Sequence, residues 1–256
     1  MVKTGMDRIE SERRIAAYYD IHHGRLPEDL DFWTQLANQQ GGPILELGCG
    51  TGRVLLPLAR AGHSILGLDR NFAMLARLKD KLRPEPASRI HIMQADLTAF
   101  RLAKRFALVF LACNTFSALP DGDRMRGLEN ASAHLAPAGL FAASLPNPAL
   151  LADLPDRSDA EVEEVFPDPE TGEPVQVSSG WERDQKGFQL SWHYDRLSVD
   201  GHVERLTIRT THTVNDRQTY LKELARAGLR AVAEYGDYDF SAYRPNSPHL
   251  IITASS

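Results

Sequence analysis

The feature that most constrains this chain is a glycine-rich turn between an apolar run and a helical pattern. Residues 46–52 read Glu-Leu-Gly-Cys-Gly-Thr-Gly, after the short apolar run 43–45 and before the apolar pattern of 53–56. Glycines at alternate positions let the backbone approach a ligand closely, and the start of a helix presents bare N–H groups and partial positive charge. The turn therefore predicts a site for a nucleotide-type cofactor.

Two carboxylates stand at the ends of later apolar runs. Asp69 ends the next run and lies twenty-one positions after Gly48, and Asp96 follows the run 89–95. A βαβ unit places a ribose-binding carboxylate at about the distance of Asp69 from the glycine turn. A cap on the helix that begins near Asn71 is the alternative role for Asp69.

The pattern Glu-x-Gly-x-Gly-x-Gly resembles motif I of the class I S-adenosylmethionine-dependent methyltransferases. The fingerprint of dinucleotide dehydrogenases is Gly-x-Gly-x-x-Gly, and its third glycine would fall at Arg53, which favours a methyl donor over a nicotinamide. The resemblance implies that Asp69 binds the ribose, that Asp96 and Leu97 read the adenine edge, and that Asn114 lies near the methionine end unless it only caps a turn. The cofactor-binding residues expected are Glu46, Gly48, Cys49, Gly50, Gly52, Asp69, Arg70, Met74, Asp96, Leu97, Cys113 and Asn114.

The fold expected is a mainly parallel α/β sheet of the Rossmann-like type, because apolar runs alternate with helical stretches. The strands are expected near 44–48, 64–68, 90–94, 106–112, 139–145, 229–235 and 250–254, and the helices near 28–40, 53–61, 71–82, 122–135 and 216–227. Pro57 is expected to bend its helix. The resemblance implies the strand order 3-2-1-4-5-7-6 with the last strand antiparallel. The cofactor is then expected between the first and fourth strands, where the order reverses.

Prolines interrupt the chain after residue 145, and two alternating segments, 188–199 and 202–214, follow them. The pair Asp200-Gly201 between these segments predicts a hairpin. We expect an antiparallel insertion at 151–214, which resembles the substrate lid of small-molecule methyltransferases such as the aminosugar and glycine N-methyltransferases. The three parts expected are an N-terminal helical cap at 1–42, a core at 43–150 with 215–256, and this insertion.

Composition excludes several classes of partner. The 256-residue chain carries a formal charge of −5 and a pI near 6.0, which gives no basic surface for nucleic acid or an anionic membrane. It has no apolar run of membrane-spanning length, and a cytoplasmic protein, monomeric or homodimeric, is expected. Cys49 and Cys113 are expected to be small, buried, reduced side chains, and no metal site is expected because neither has ligands at metal-binding spacing.

Methyl transfer from a sulfonium needs alignment more than acid–base chemistry, since orientation can contribute about 7–11 kcal/mol. The resembled enzymes carry an N-terminal helix whose tyrosine lies near the methyl group. Tyr19, His22 and His23 are therefore the candidate catalytic residues that orient or deprotonate the acceptor, with simple packing as the alternative. Some aminosugar enzymes carry a histidine shortly after the fourth strand, and residues 116–119 here have none.

The acceptor contacts expected are aromatic. Trp192 and Tyr194 share one face of a strand, where they either form a stacking wall or the buried face of the sheet. Tyr238 lies in an aromatic and acidic loop that suits a cationic amine, with a polar hairpin loop as the alternative. The expected substrate-binding residues are Tyr18, Trp192, Tyr194 and Tyr238.

The function expected is methyl transfer from S-adenosylmethionine to a small-molecule acceptor, with an amine nitrogen as the acceptor atom. A hydroxyl or carboxyl oxygen is the alternative. A donor-binding protein without turnover would share every cofactor motif, and a nicotinamide oxidoreductase is the third hypothesis.

Overall fold

The computed structural model describes residues 8–24, 28–82, 89–184 and 187–256. Its helices are α1 Arg8–Gly24, α2 Leu30–Gln40, α3 Leu55–Arg60, α4 Phe72–Asp80, α5 Asp121–His134, α6 Pro148–Asp153 and α7 Arg217–Arg226. Its strands are β1 Ile44–Leu47, β2 Ile65–Asp69, β3 Ile90–Gln94, β4 Phe106–Leu111, β5 Leu135–Pro146, β6 Glu161–Pro167, β7 Pro174–Asp184, β8 Gly187–Leu197, β9 Val203–His212, β10 Arg230–Tyr235 and β11 His249–Ser255. None of the helices within these described ranges is long and apolar enough to cross a membrane.

The chain divides into two compact units. The larger contains Pro27–Asp153 and Thr213–Ser256, and the smaller contains Met1–Leu26 and Leu154–His212. The contacts thus group α1 with the inserted strands and α2 with the large sheet, whereas the sequence suggested one cap from 1 to 42.

The larger unit is built on a seven-stranded sheet with the order β10-β11-β5-β4-β1-β2-β3. Strands β1 to β5 run parallel to one another, and β11 is antiparallel to both β5 and β10. This arrangement confirms the expected strand order 3-2-1-4-5-7-6. The order reverses between β1 and β4, so any ligand of this sheet is expected beyond the carboxyl ends of those two strands.

The central strands are continuous apolar runs because both faces of the sheet are covered. Along β4, Leu108 and Phe110 join the buried cluster on one face, with Trp33 of α2, while Val109 and Leu111 join the cluster on the other. This alternation is the two-residue period of a strand applied to a sheet that is buried on both sides. It fixes the ends of β1 and β4 rigidly, and the glycine turn extends from one of those ends.

The smaller unit is a four-stranded antiparallel sheet in the order β6-β7-β8-β9, with α1 packed on it. Its buried core contains Tyr18 of α1 together with Phe166, Val175, Val177 and Tyr194. The expected hairpin is present, since β8 and β9 pair on either side of Asp200 and Gly201, and Gly201 has a φ of +81°.

The structure differs from the expected elements in three places. Strands β6 and β7 were not expected, because proline breaks the interior of a strand. Pro167 and Pro174 instead pair with each other at the adjoining ends of these strands, where proline is tolerated. The short α6 was also not expected. The bend expected at Pro57 rested on a lost hydrogen bond, but Pro57 lies in the first turn of α3, where a backbone N–H has no helical partner.

Candidate functional site

The glycine turn after β1 has an open face. Gly48, Gly50 and Gly52 have φ values of +79°, +51° and +81°. A Cβ on Gly48 would lie 2.8 Å from Cγ2 of Thr115, and one on Gly52 would collide with the side chain of Leu78. One on Gly50 would meet no atom of the described residues within 4 Å. Packing therefore requires the outer two glycines, and the middle one leaves bare backbone facing open space.

Asp69, at the end of β2, is held against this turn. Its carboxylate accepts hydrogen bonds from the backbone N–H groups of Gly50 and Asn71, each at 2.8 Å. A carboxylate has about four acceptor positions, so two remain for a ligand such as a ribose diol. The cap of α4 is Asn71 itself, whose side chain accepts from Ala73 and Met74. The alternative role for Asp69 as that cap is therefore wrong.

The end of β3 supplies a second carboxylate. Asp96 is exposed, and its Oδ1 accepts from the backbone N–H of Thr98 at 2.8 Å and from its hydroxyl at 2.7 Å. These two bonds lower the pKa of Asp96 below its usual value. Leu97 beside it packs partly against the core. The pair presents an acceptor and an apolar contact, which suits the edge of a purine.

The edge between β2 and β3 carries the remaining expected adenosine contacts. Arg70 is exposed, and Met74 is partly buried on α4. Phe72, which is 70% exposed at the start of α4, was not among the residues expected there. The sequence signal that could have identified Phe72 as an adenosine contact is an aromatic residue three positions after Asp69.

Two buried acceptor atoms at the ends of β1 and β4 have no hydrogen-bond donor among the described residues. They are Oε2 of Glu46, a residue only 3% exposed, and Oδ1 of Asn114. Burial raises the pKa of Glu46 well above its usual value, and the Arg53 guanidinium and the Leu55 N–H oppose that shift. Buried acceptors are normally satisfied, so this pair fits a ligand with several N–H groups, such as a primary ammonium.

A buried ion pair beside the turn was not expected from the sequence. Arg53 donates to Asp29 through Nη1 at 2.5 Å and Nη2 at 2.7 Å, and Nε1 of Trp33 donates to the same carboxylate at 2.9 Å. Nη2 of Arg53 also contacts Sγ of Cys113. Asp29 and Arg53 lie 24 positions apart, and no local pattern links residues at that separation.

The two cysteines differ. Cys49 is buried, as expected, and burial raises the pKa of its thiol. Cys113 is exposed, so the expectation that it is a small buried residue is wrong. The physical reason is local: the chain passes through left-handed conformations at Cys113 and Asn114, with φ values of +54° and +60°, and so turns away from the buried end of β4.

In the smaller unit, two expected acceptor contacts are instead core residues. Tyr18 is 1% exposed and Tyr194 is 0% exposed, so neither offers surface to a substrate. The hydroxyl of Tyr18 donates to Asp168, and burial raises the pKa of both phenols. Two alternatives were given for this face of β8, a stacking wall and the buried face of the sheet. Tyr194 lies on the buried face of the sheet.

The candidate catalytic residues on α1 divide into two kinds. His22 uses both ring nitrogens within its unit, with Nε2 2.7 Å from Glu163 and Nδ1 3.2 Å from the hydroxyl of Tyr194. His23 stacks on His22 at 4.2 Å between ring centroids, and its ring is 4.3 Å from Tyr19 and 5.5 Å from Trp192. Tyr19, His23 and Trp192 are partly exposed and form one aromatic group.

Tyr238 belongs to the larger unit, in the loop between β10 and β11. Its ring lies 4.6 Å from that of His249 and 6.0 Å from that of Phe32, and burial raises the pKa of its phenol. His249 pairs with Pro146 at the end of β5 and therefore lies at the carboxyl edge of the sheet. Burial lowers its pKa while Asp237 and Asp29 oppose that shift. Sequence reasoning missed His249.

A family model described as a methyltransferase domain matches the chain from the first strand to the fifth. The matched residues are 44–139. The match and the sheet order together confirm the expected class, a class I methyltransferase that uses S-adenosylmethionine. Within this methyltransferase domain, the glycine turn, Asp69 and Asp96 lie at the ends of the first three strands.

Similar proteins cover nearly the whole chain. YqeM of Bacillus subtilis (strain 168) is 25% identical over 243 residues, which are 89% of this chain and 91% of YqeM. The structure of the CcbJ methyltransferase from Streptomyces caelestis superposes with a TM-score of 0.75 at 22% identity, covering 90% of this chain and 96% of CcbJ. The sugar N-methyltransferase KedS8 from Streptoalloteichus has a TM-score of 0.72 at 20% identity and covers 93% of each chain. At these identities the two structures show a shared fold.

Proposed function

We propose that this methyltransferase transfers a methyl group from S-adenosylmethionine to an amine nitrogen of a small molecule. The observation that carries the proposal is the set of acceptor atoms around the glycine turn: the open backbone at Gly50, the carboxylate of Asp69 and the donor-free oxygens of Glu46 and Asn114. These groups suit the ribose and the ammonium of an adenosyl amino acid.

Each group has a separate task in binding the donor. Asp69 accepts from the ribose hydroxyls, Asp96 accepts from the adenine amine while Leu97 packs on the ring, and Glu46 with Asn114 accepts from the ammonium. When bound, S-adenosylmethionine supplies a methyl group already activated on a sulfonium. The chain then has to hold the acceptor nitrogen in line and exclude water, and orientation of this kind can contribute about 7–11 kcal/mol.

The choice of nitrogen is supported by charge. Asp237, Asp29 and Glu28 act electrostatically on His249, whose ring lies beside that of Tyr238 at the carboxyl edge of the sheet. An acidic and aromatic edge favours an amine that arrives protonated, and its proton must leave before the lone pair can attack. The resemblance in fold to an enzyme named as a sugar N-methyltransferase points to the same acceptor atom.

Within the smaller unit, the acceptor contacts that we propose are the partly exposed aromatic residues Tyr19, His23 and Trp192. For the larger unit we propose a separate contact at Tyr238, which is also partly exposed. His22 has a supporting role, because both of its nitrogens are already bonded to Glu163 and Tyr194.

The test is transfer of a labelled methyl group from S-adenosylmethionine to a panel of small amines, phenols and carboxylic acids, with products identified by mass spectrometry. Methylation of amines alone supports the proposal. Methylation of oxygen would replace the nitrogen assignment. Donor binding by calorimetry without transfer to any compound in the panel would favour a binding protein over an enzyme.

A further inference from the structure

Arg53 carries a largely buried positive charge at the point where the strand order reverses. It follows Gly52 in the turn after β1, and its Nη2 reaches Sγ of Cys113 just beyond the end of the neighbouring strand β4. The guanidinium therefore spans the gap between the two strands whose carboxyl ends define the ligand position of such a sheet.

Asp29 and Trp33 fix the orientation of this guanidinium. Asp29 binds it in a two-point fork, and Trp33 Nε1 holds Asp29 in turn. The side chains of Arg53 and Asp29 are 14% and 5% exposed. Removing such an ion pair from water costs free energy. The pair also holds the planar guanidinium rigidly, so that its outer edge, the one that faces away from Asp29, points in a fixed direction.

Among the residues that the structure describes, the guanidinium edge that faces away from Asp29 has no strong acceptor. A guanidinium has five N–H donors; two of the hydrogen bonds of Arg53 go to Asp29 and a third goes to a thiol, which accepts weakly. Glu46 lies close enough to act on Arg53 electrostatically, but its raised pKa favours the uncharged acid, which competes little for the cation. A carboxylate would replace the thiol contact with a charge-assisted hydrogen bond.

We infer that Arg53 is a specificity-determining residue that binds the α-carboxylate in the methionine part of the donor, and that Asp29 is the positioning residue that aligns it. This inference rests on the donor site proposed above. It extends that site by assigning the amino-acid end: Glu46 and Asn114 receive the ammonium, and Arg53 receives the carboxylate.

The experiment compares two ligands by isothermal titration calorimetry on the full chain. S-adenosylhomocysteine carries the amino-acid end, and 5′-methylthioadenosine has the same adenosine and thioether without it. The main variant is the double substitution Asp29→Asn with Arg53→Gln, which removes both charges together and leaves no unpaired buried charge. Arg53→Lys keeps the charge without the fork, and Arg60→Gln, on the exposed end of α3, is the matched control.

The double variant should bind S-adenosylhomocysteine about 10- to 100-fold more weakly, the range for loss of a hydrogen bond to a charged group, and should bind 5′-methylthioadenosine unchanged. Arg53→Lys should show a smaller loss for the same ligand alone, and Arg60→Gln should match the wild type. Unchanged binding of S-adenosylhomocysteine would overturn the inference, and so would an equal loss for both ligands, which indicates a structural role. A wild-type chain that binds neither ligand would instead contradict the donor site itself.

Discussion

The carboxylate of Asp69 accepts a hydrogen bond from the backbone N–H of Gly50 at 2.8 Å, across nineteen positions of sequence. This bond joins the turn after β1 to the end of β2. It fixes the exposed backbone of the turn beside a carboxylate that still has free acceptor positions. The two features that sequence reasoning identified separately are therefore one structural unit.

Replacement of Asp69 should reduce donor binding strongly. Asp69→Ala removes both the expected ribose contacts and the bond to Gly50, and loss of a charge-assisted hydrogen bond costs about 1.5–3 kcal/mol. We expect S-adenosylhomocysteine to bind at least about 10-fold more weakly by calorimetry. Asp80→Ala, at the exposed end of α4, is the control and should bind normally. Normal binding by Asp69→Ala would remove Asp69 from the site.

The glycine turn should respond differently at its middle and at its end. Gly52→Ala places a Cβ against Leu78 and should lower the melting temperature, because both the left-handed backbone and the collision are unfavourable. The added Cβ of Gly50→Ala meets no neighbour in the described part of the chain, so its cost is that of the left-handed backbone, about 1–2 kcal/mol. We expect Gly50→Ala to remain folded but to lose affinity for S-adenosylhomocysteine. Equal melting temperatures for the two variants would contradict this assignment of roles.

Glu46 should make stability depend on pH in an unusual direction. Its pKa is raised on folding, so the folded chain holds this proton more tightly than the unfolded chain does. The free energy of unfolding therefore falls as the pH rises from the pKa of Glu46 in the unfolded chain to its pKa in the folded chain. It stays lower at any pH above both pKa values. Glu46→Gln should raise the free energy of unfolding at neutral pH by about 1–3 kcal/mol, the cost of a buried unsatisfied polar group. This increase in the free energy of unfolding should be smaller at acidic pH, where Glu46 of the wild type is protonated.

Chemical denaturation of wild type and Glu46→Gln at neutral and acidic pH measures this difference. S-adenosylhomocysteine supplies the control, because its ammonium should favour the charged glutamate and reverse the ranking of the two proteins. A glutamine variant that is less stable than the wild type at neutral pH would show that Glu46 is satisfied in the free chain.

Substitution of the two neighbouring histidines of α1 should affect different properties, folding stability for His22 and methyl transfer for His23. His22 bonds to Glu163 and Tyr194, so His22→Ala should lower the melting temperature, at about 1 kcal/mol for each net hydrogen bond lost. His23→Ala should leave donor affinity unchanged and reduce transfer to whichever amine of the panel is methylated. If His22→Ala retained full stability and His23→Ala retained full transfer, the roles given to this pair would be wrong.

Local patterns predicted the larger unit well because its elements are defined by short-range signals. The apolar runs of β1, β2 and β4 are buried on both faces, and the glycine turn has the positive φ values that its residues allow. In the smaller unit, Pro167 and Pro174 concealed two strands, since proline breaks a central strand but is tolerated at strand ends.

The parts of the site that sequence reasoning missed depend on contacts between distant residues. Nothing near Asp29 indicates that it binds Arg53, and nothing near Tyr18 indicates that Asp168 accepts from its hydroxyl. Burial was equally hidden for Tyr194, because an alternating strand shows which residues share a face but not what covers that face. Such relationships arise from the topology, which no single segment contains.

The central claim is that the tips of the first three strands together hold an adenosyl sulfonium, and ligand-dependent thermal unfolding of the wild-type chain tests it most directly. At about one hundred times its dissociation constant a ligand stabilises by about 2.7 kcal/mol, which for this length is roughly 5–10 °C. S-adenosylhomocysteine should produce such a shift, and NADH should produce none. A shift with NADH and none with S-adenosylhomocysteine would contradict the claim.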